Sequence, residues 1–570
     1  MSRLPEQPGQ RIDRSKVIRF TFDGKSVEAY EGDTVGSALY AAGQRTFSRS
    51  FKYHRRRGLM CCAGQCPNCI VAVDGSPGAR ACIEPVREGI RVEHLNAKPG
   101  LEFDAMRATD LVGGPFTPPG FYYKTFIRPR RLWPLYEKVL RNAAGLGVLR
   151  EHQEDREWRT EYRRRHADVL VVGGGIAGLR AASRAAELGA DVVLVDEGPE
   201  PGGTALLSAD RERIAPLLKA AQDAGVEILS RASALGYFDG LVPVWQDQTL
   251  HQVRARSHVF ATGAVEQPLV FAGNDLPGVM LSGGALRLIG LYAVSPGTRA
   301  VIAATSDRGL DAAIALHDAG VWIAAVADLR PAPGAGTQEL RARGIEVLPG
   351  HTVVEARGNK AVSHVVLAPL GRDGGAKRTF DCDLLVVSGG ATPATSLLLQ
   401  AGAEAQYDRA HGHFALAGTP AGVHAAGEVD GAHSAEAVAA SGALAGMHAA
   451  HELGLGDEAS RVYAAELADT LAELGAEGET VAVPPAEGVK GAHGKCFACL
   501  CEDVTTKDIE RTIAEGYDSI ELAKRYTAVT MGPCQGRMCQ LPSIRLMAQH
   551  TGQSLGDVGT TTARPPWVPV

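Results

Sequence analysis

Apolar and polar positions alternate from Lys16 to Tyr30, KVIRFTFDGKSVEAY, on either side of Asp23-Gly24. That period of two around a turn dipeptide predicts a β-hairpin. A short helix is expected from Thr34, through VGSALYAAG. Further on the pattern changes. Val169 to Val172 is an unbroken apolar run that ends on Gly173-x-Gly175-x-x-Gly178, and an Ala/Leu-rich segment then leads to a second run, Val192 to Val195, ending on Asp196. The order predicted is strand, tight turn, helix, strand. It recurs from Gly297 in GTRAVIAATSDRGLDAAIALHDAGVWIAAVADL. Near the end of the chain two amphipathic helices are predicted, Thr506 to Glu515 and Ser519 to Tyr526, with Thr505 or Thr506 as N-cap. The fold class is therefore α/β and multidomain. Residues 1–104 form one domain, 105–165 a connecting segment, 166–295 with 366–470 a dinucleotide-binding domain, 296–365 a second and degenerate one, 488–552 a small helical domain, and 553–570 a Pro-rich tail.

The first glycine-rich turn carries chemistry. Gly173 makes the turn, Gly175 lets backbone approach a pyrophosphate, and Gly178 packs helix on strand. The helix N-terminus offers free N–H groups to the phosphates. Asp196, with Glu197 beside it, is placed to accept hydrogen bonds from a ribose. Pro201-Gly202-Gly203-Thr204 would bring backbone to the cofactor again, Thr262-Gly263 follows a later strand, and Gly427-Glu428 stands at a strand end before a small-residue helix. In the second unit Ala304 and Ser306 replace the first two glycines and only Gly309 survives, so it should bind nucleotide poorly or not at all.

Ten of the eleven cysteines fall in two groups, at 61–82 and 496–539. In a cytoplasmic chain such grouping points to metal clusters rather than disulfides. Cys61-x4-Cys66-x2-Cys69, with Cys82 after it, has the plant-type [2Fe–2S] spacing, while Cys62 has no place in the pattern. Cys499-x-Cys501 and Cys534-x4-Cys539 flank the two C-terminal helices and offer a second set, with Cys496 a possible substitute ligand. Structural zinc is the alternative at both. Cys382 reads as a core residue. The basic run Lys52 to Arg57, KYHRRR, reads as a solvated face, or as a docking face for an acidic partner or a cofactor phosphate. The charged stretch EHQEDREWRTEYRRRH, Glu151 to His166, reads as an exposed helix.

Composition narrows the class without naming a substrate. With 45% hydrophobic and 22% charged residues the chain is an ordinary globular protein, and its net charge of −6 argues against a nucleic-acid binder. No apolar run reaches the roughly eighteen residues of a transmembrane helix, and Met1 to Arg14 is polar. A cytoplasmic protein is expected, peripheral at a membrane only through a partner. No histidine or carboxylate stands in a recognisable catalytic context, so the catalytic residues stay unknown.

The chain also resembles a known family. The N-terminal segment resembles β-grasp ferredoxin-like domains, and the C-terminal module the bacterioferritin-associated-ferredoxin type of [2Fe–2S] domain, which spaces its second cysteine pair more tightly. The order of that N-terminal domain, FYYKTF, GGGIAG, ATGAVEQPLVFAGNDLPGV, CDLLVVSGG and AKRYTAVTMGPCQG is similar to the alpha subunit of heteromeric sarcosine oxidase. It is more similar still to the large subunits of octopine/nopaline oxidases, hydrogen cyanide synthase and dye-linked proline or hydroxyproline dehydrogenases. The resemblance implies a glutathione-reductase-like flavoprotein with two dinucleotide-binding domains. It implies a partner beta subunit of the amino-acid-oxidase fold that carries FAD, a small third subunit, and an FMN at the interface with the beta subunit. The partner oxidises a secondary amine to an imine, and this chain takes the electrons through flavin and two [2Fe–2S] clusters to an unknown acceptor. Flavoproteins of this architecture hold an acidic residue against the ribityl chain, usually aspartate, so Glu428 is a departure. The first turn is read as an FAD site, with NAD as the alternative because the matching sarcosine oxidase site is thought to hold NAD. A stand-alone NAD(P)H-dependent reductase and a non-catalytic scaffold with structural NAD are the rival readings.

Overall fold

A computed structural model describes residues 3–110, 118–120, 124, 128–143, 160–332, 334–370, 376–475, 481–486 and 492–565. The chain divides into two compact units, 1–151 with 266–390 and 481–561, and 152–265 with 391–480 and 562–570.

In the first unit the hairpin forms as the alternation requires. Asp13–Phe22 pairs antiparallel with Lys25–Glu31, and Asp23 and Gly24 both adopt positive φ at the turn. That conformation suits a two-residue hairpin loop. Arg91–His94, Ile70–Val73 and Ser76–Arg80 complete a five-stranded sheet. The helix Val35–Ala41 starts at Thr34, whose hydroxyl accepts from the Ser37 N–H. The same unit holds a parallel sheet in the order Val279–Leu281, Leu384–Ser388, Arg299–Ala304, Trp322–Asp328 and Val347–Pro349. This second nucleotide-type sheet is wider than the 296–365 expected, because both outer segments pair in register with its strands. Cys382 is buried in its core. The C-terminal module sets a two-stranded ribbon, Phe497–Cys499 with Val504–Thr505, before the helices Thr506–Ala514, Ile520–Thr527 and Gln540–Thr551. Thr505 is the N-cap of the first of them. The tail begins later than 553, since Ser554 caps a short helix over Leu555–Val558. Trp567 lies outside the described residues.

The second unit is built on a sheet in which Glu227–Leu229, Val192–Val195, Glu161–Val172 and Thr249–Phe260 run parallel. Leu241–Gln246 and Ala232–Ala234 extend it antiparallel. Here a sequence expectation fails. Glu161 to His166 is strand, paired residue by residue with Thr249 to Arg254. Its charged side chains are mostly exposed, and Arg165 meets Glu227 at 2.6 Å. Period-two pairing with a long neighbour outweighs a local composition that suits an exposed helix. The rest of that charged stretch, and most of FYYKTF, lie outside the described residues. No helix among the described residues is long and apolar enough to cross a membrane.

Candidate functional site

Three sites take shape from the residues singled out above, one in the second unit and two in the first.

At the nucleotide turn, each glycine meets a different constraint. Gly173 has φ +108, and a Cβ there would lie 2.2 Å from the Ala261 carbonyl oxygen. A Cβ on Gly178 would lie 1.7 Å from the Gly173 oxygen, so only glycine lets the helix seat on the strand. Gly175 is different: its backbone is extended, and a Cβ would meet nothing within 4 Å. That open space lies at the N-terminus of helix Ile176–Glu187, which has no side-chain cap, so its first N–H groups face outward. Asp196 closes the turn by accepting from the Gly174 N–H at 2.6 Å and the Gly198 N–H at 2.7 Å. Glu197 is exposed beside it. Gly202 donates to the Gly174 carbonyl at 2.8 Å, and a Cβ on Gly203 would come within 3.4 Å of Gly175 Cα. Thr262 donates to the Ala394 carbonyl at 2.9 Å, Gly263 has φ +67, and its Cβ position is 3.6 Å from the Glu428 carboxylate. Gly427 faces Ala177 on the first turn of the helix. The residues singled out from sequence thus converge on one cradle, and the open space at Gly175 suits a pyrophosphate.

The degenerate unit contrasts with it. Its strand ends on Asp328, as Val192–Val195 leads to Asp196 at the open turn, but Asp328 is fully buried and receives Arg330 Nε at 3.0 Å and Nη2 at 2.9 Å. Arg330 also reaches Asp307 at 2.9 Å, on the first turn of the helix. Ala482 donates to the Thr305 carbonyl across the turn. The acid that a ribose would need is held by the chain's own guanidinium.

In the N-terminal domain Cys61, Cys62, Cys66, Cys69 and Cys82 are all buried. The Cys61 sulfur meets those of Cys66 and Cys82, and Cys82 also meets Cys69. Backbone donors point at them: Gln65 N–H to Cys61 Sγ at 3.3 Å, Ala63 N–H to the same sulfur at 3.5 Å, and Gly64 N–H to Cys82 Sγ at 3.3 Å. Hydrogen bonds from Cys66 and Cys82 hold the Cys61 thiol well below its usual range. Burial pushes the Cys62 thiol well up. In the C-terminal module the sulfurs of Cys499, Cys501, Cys534 and Cys539 meet pairwise in a ring. The Cys534 N–H donates to Cys501 Sγ at 3.4 Å. Cys496 lies half-buried at a bridge to Ala272. Among the described residues no group of three or more His, Cys, Asp or Glu is set to hold a metal ion as it stands. The donor sets are nonetheless four buried thiols each, with N–H groups aimed at sulfur, which is the environment a thiolate-held cluster requires.

The basic run Lys52 to Arg57 is neither a solvated nor a docking face. Arg57 is 3% exposed and His54 also 3%, both inside the first unit. Arg55 and Arg57 both bind Asp275, and Arg57 also binds Asp503, the second residue after Cys501. The acidic partner is the chain itself, at positions 218 to 446 residues away in sequence.

Residues 15–97 match the 2Fe-2S iron-sulfur cluster binding domain, and residues 493–570 the sarcosine oxidase A3 domain. Residues 167–454, half of the chain, match the pyridine nucleotide-disulphide oxidoreductase model. The chain belongs to the pyridine nucleotide-disulphide oxidoreductase family. Within that family it is similar to the sarcosine oxidase subunit alpha of Rhizobium meliloti (strain 1021), at 35% identity over all of this chain and 58% of the relative. It is 29% identical to hydrogen cyanide synthase subunit HcnB of Pseudomonas protegens, over 70% of this chain and 96% of that one. The fold is that of L-proline dehydrogenase from P. horikoshii, with TM-score 0.73, 24% identity and 99% of each chain covered. This oxidoreductase spans less than two thirds, 56 to 58%, of the sarcosine oxidase alpha subunits it matches.

Proposed function

We propose that this chain is the electron-transferring alpha subunit of a heteromeric flavin and iron–sulfur oxidoreductase that acts on the C–N bond of a secondary amino acid or opine. One observation carries the reading. A single chain combines an open nucleotide cradle at Gly175 with two quartets of buried thiols, while its second nucleotide unit is closed by the Arg330–Asp328 pair. That is the equipment of an electron carrier rather than of an NAD(P)H-dependent reductase, whose reduced nucleotide would need the second unit. The names of the relatives, subunits of amine-oxidising and cyanide-forming enzymes, support a partner that oxidises the substrate, and a beta subunit of the amino-acid-oxidase fold fits that role. A small third subunit and an FMN between subunits belong to the same proposal.

The residues divide the work. Gly173, Gly175 and Gly178 with Gly202 and Gly203 cradle the pyrophosphate of FAD, or of NAD in the alternative. Asp196 and Glu197 take the ribose hydroxyls, and Thr262, Gly263, Gly427 and Glu428 lie along the rest of the cofactor. Cys61, Cys66, Cys69 and Cys82 hold one [2Fe–2S] cluster and Cys499, Cys501, Cys534 and Cys539 a second. Bound there, a flavin accepts a pair of electrons and the clusters pass them on singly. The N–H groups of Ala63, Gly64, Gln65 and Cys534 stabilise charge on the sulfurs.

The test is composition of the anaerobically purified chain. About four irons per chain are expected, two for each such cluster, together with FAD in the supernatant after denaturation. Half that iron, with zinc in the remainder, would overturn the second cluster. Release of NAD alone would replace FAD by the alternative.

A further inference from the structure

Arg80 ends the strand Ser76–Arg80, two residues before Cys82, and it is 6% exposed. Its guanidinium donates in two directions. Nη1 reaches the Gly64 carbonyl, inside the N-terminal cysteine loop, and Nη2 reaches the Pro533 carbonyl at 2.6 Å, beside Cys534 in the C-terminal one. Each carbonyl belongs to a peptide group whose other end is already engaged. The Gly64 carbonyl shares its peptide with the Gln65 N–H, which donates to Cys61 Sγ at 3.3 Å. The Pro533 carbonyl shares its peptide with the Cys534 N–H, which donates to Cys501 Sγ at 3.4 Å. One buried cation is therefore joined to a sulfur of each quartet through one peptide group apiece.

From this geometry we propose that Arg80 is a positioning residue that bridges the two iron–sulfur sites, tuning both through matched peptide hydrogen bonds and fixing their separation for direct electron exchange. The proposal rests on the reading that each quartet holds a cluster. Its physical basis is polarisation. A full positive charge on a carbonyl oxygen draws electron density along the amide and makes the N–H at the other end a stronger donor. Stronger N–H···S bonds favour the reduced, more negative cluster and raise its potential. Because the same guanidinium serves both peptides, the two potentials rise together, so neither site becomes a trap for the electron. In the exchange one cluster loses an electron and the other gains it, with no proton or further reactant. The planar fork of arginine presents two separate, pre-oriented nitrogens to two fixed carbonyls, whereas lysine offers one point charge on a flexible stem.

The experiment is a potentiometric titration of the holoprotein followed by electron paramagnetic resonance, comparing wild type with Arg80→Gln and Arg80→Lys. Arg80→Gln is expected to keep its iron, to lower both midpoint potentials in the same direction, and to weaken the magnetic interaction between the two reduced clusters. Arg80→Lys, which keeps the charge and loses the fork, is expected to split the pair: one potential stays near wild type and the other falls. If Arg80→Gln loses iron, the Arg80→Lys splitting decides the matter. Unchanged potentials in both variants, or equal shifts with the magnetic interaction intact, would overturn the bridge. A wild-type chain with iron for only one cluster would instead remove the reading beneath it, an outcome separable by iron analysis before any variant is made.

Discussion

What a glycine is for can be read from what a side chain in its place would touch. At Gly178 a Cβ would strike the Gly173 oxygen, and at Gly175 it would enter empty space. The two substitutions should fail differently. Gly178→Val overpacks the helix–strand contact and should cost about 1–3 kcal/mol or more of stability. Gly175→Val leaves packing and backbone untouched but fills the pyrophosphate's room. With nucleotide stripped from both proteins its thermal midpoint should match wild type, while nucleotide affinity falls tenfold or more, about 1.4 kcal/mol; retained nucleotide would remove the cradle. Ser306→Val, in the closed degenerate nucleotide-type domain, should release as much nucleotide on denaturation as wild type. The cysteines invite the same comparison. Cys62 has φ +50 and lies outside the sulfur contacts of the other four, among which Cys61 meets Cys66 and Cys82. Cys66→Ser should abolish the reduced-state paramagnetic signal of the N-terminal site, and Cys62→Ser should leave it. Loss of the signal in Cys62→Ser would show that the ligand set is wrong.

Elements that read most clearly in the sequence are those whose period and turn chemistry agree. The hairpin at Asp23-Gly24, the glycine-rich turn, the degenerate repeat and the two C-terminal helices form where the residues require. Two segments were illegible for one reason: their partners are distant in the chain. Glu161 to His166 becomes a strand only because Thr249 to Arg254 runs beside it. Lys52 to Arg57 is buried only because Asp275 and Asp503 come to meet it. No local pattern records such a carboxylate. Asp275 also gives the network a measurable pH dependence. Burial pushes its carboxyl up, but the guanidinium groups of Arg55 and Arg57 outweigh this and hold it below the usual 3.8. A lowered folded value means stability that is present at neutral pH and lost as the pH falls through that value. Asp275→Asn takes one carboxylate from buried Arg57 and half-buried Arg55, which keep Asp503 and Asp110, and should cost about 3 kcal/mol or less at pH 7. The gap between wild type and variant, read from urea midpoints, should narrow below pH 3.8. A gap unchanged with pH would mean that the carboxylate's charge does not hold the arginines.

At the scale of the whole molecule, the contrast between the two nucleotide-type domains is what gives the proposed electron path its direction. Both keep strand, turn, helix and terminal acid, yet they treat the acid oppositely. Asp196 accepts from the Gly174 and Gly198 N–H groups and stands half-exposed at the cradle, whereas Asp328 is sealed by Arg330. Among the described residues one such domain is open and the other closed, which on the proposed function leaves a reduced nicotinamide nucleotide no second seat there. On the proposed function, the electrons arrive instead from a partner subunit. Mixing the purified chain with NADH or NADPH should therefore leave its flavin and cluster absorbance unbleached over many minutes. The chain alone should also leave proline, sarcosine and opines untouched. Co-purified with a beta subunit of the amino-acid-oxidase fold, the same chain should be bleached on adding the cognate secondary amine, first in the flavin bands and then in those of the clusters. Rapid bleaching of the isolated chain by NAD(P)H would overturn this direction, since it would require Arg330 to give up Asp328 and the second unit to open. Arg330→Ala tests that event separately: Ala304 and Ser306 still stand where the first two glycines belong, so freeing Asp328 alone should not let the closed unit take a nucleotide.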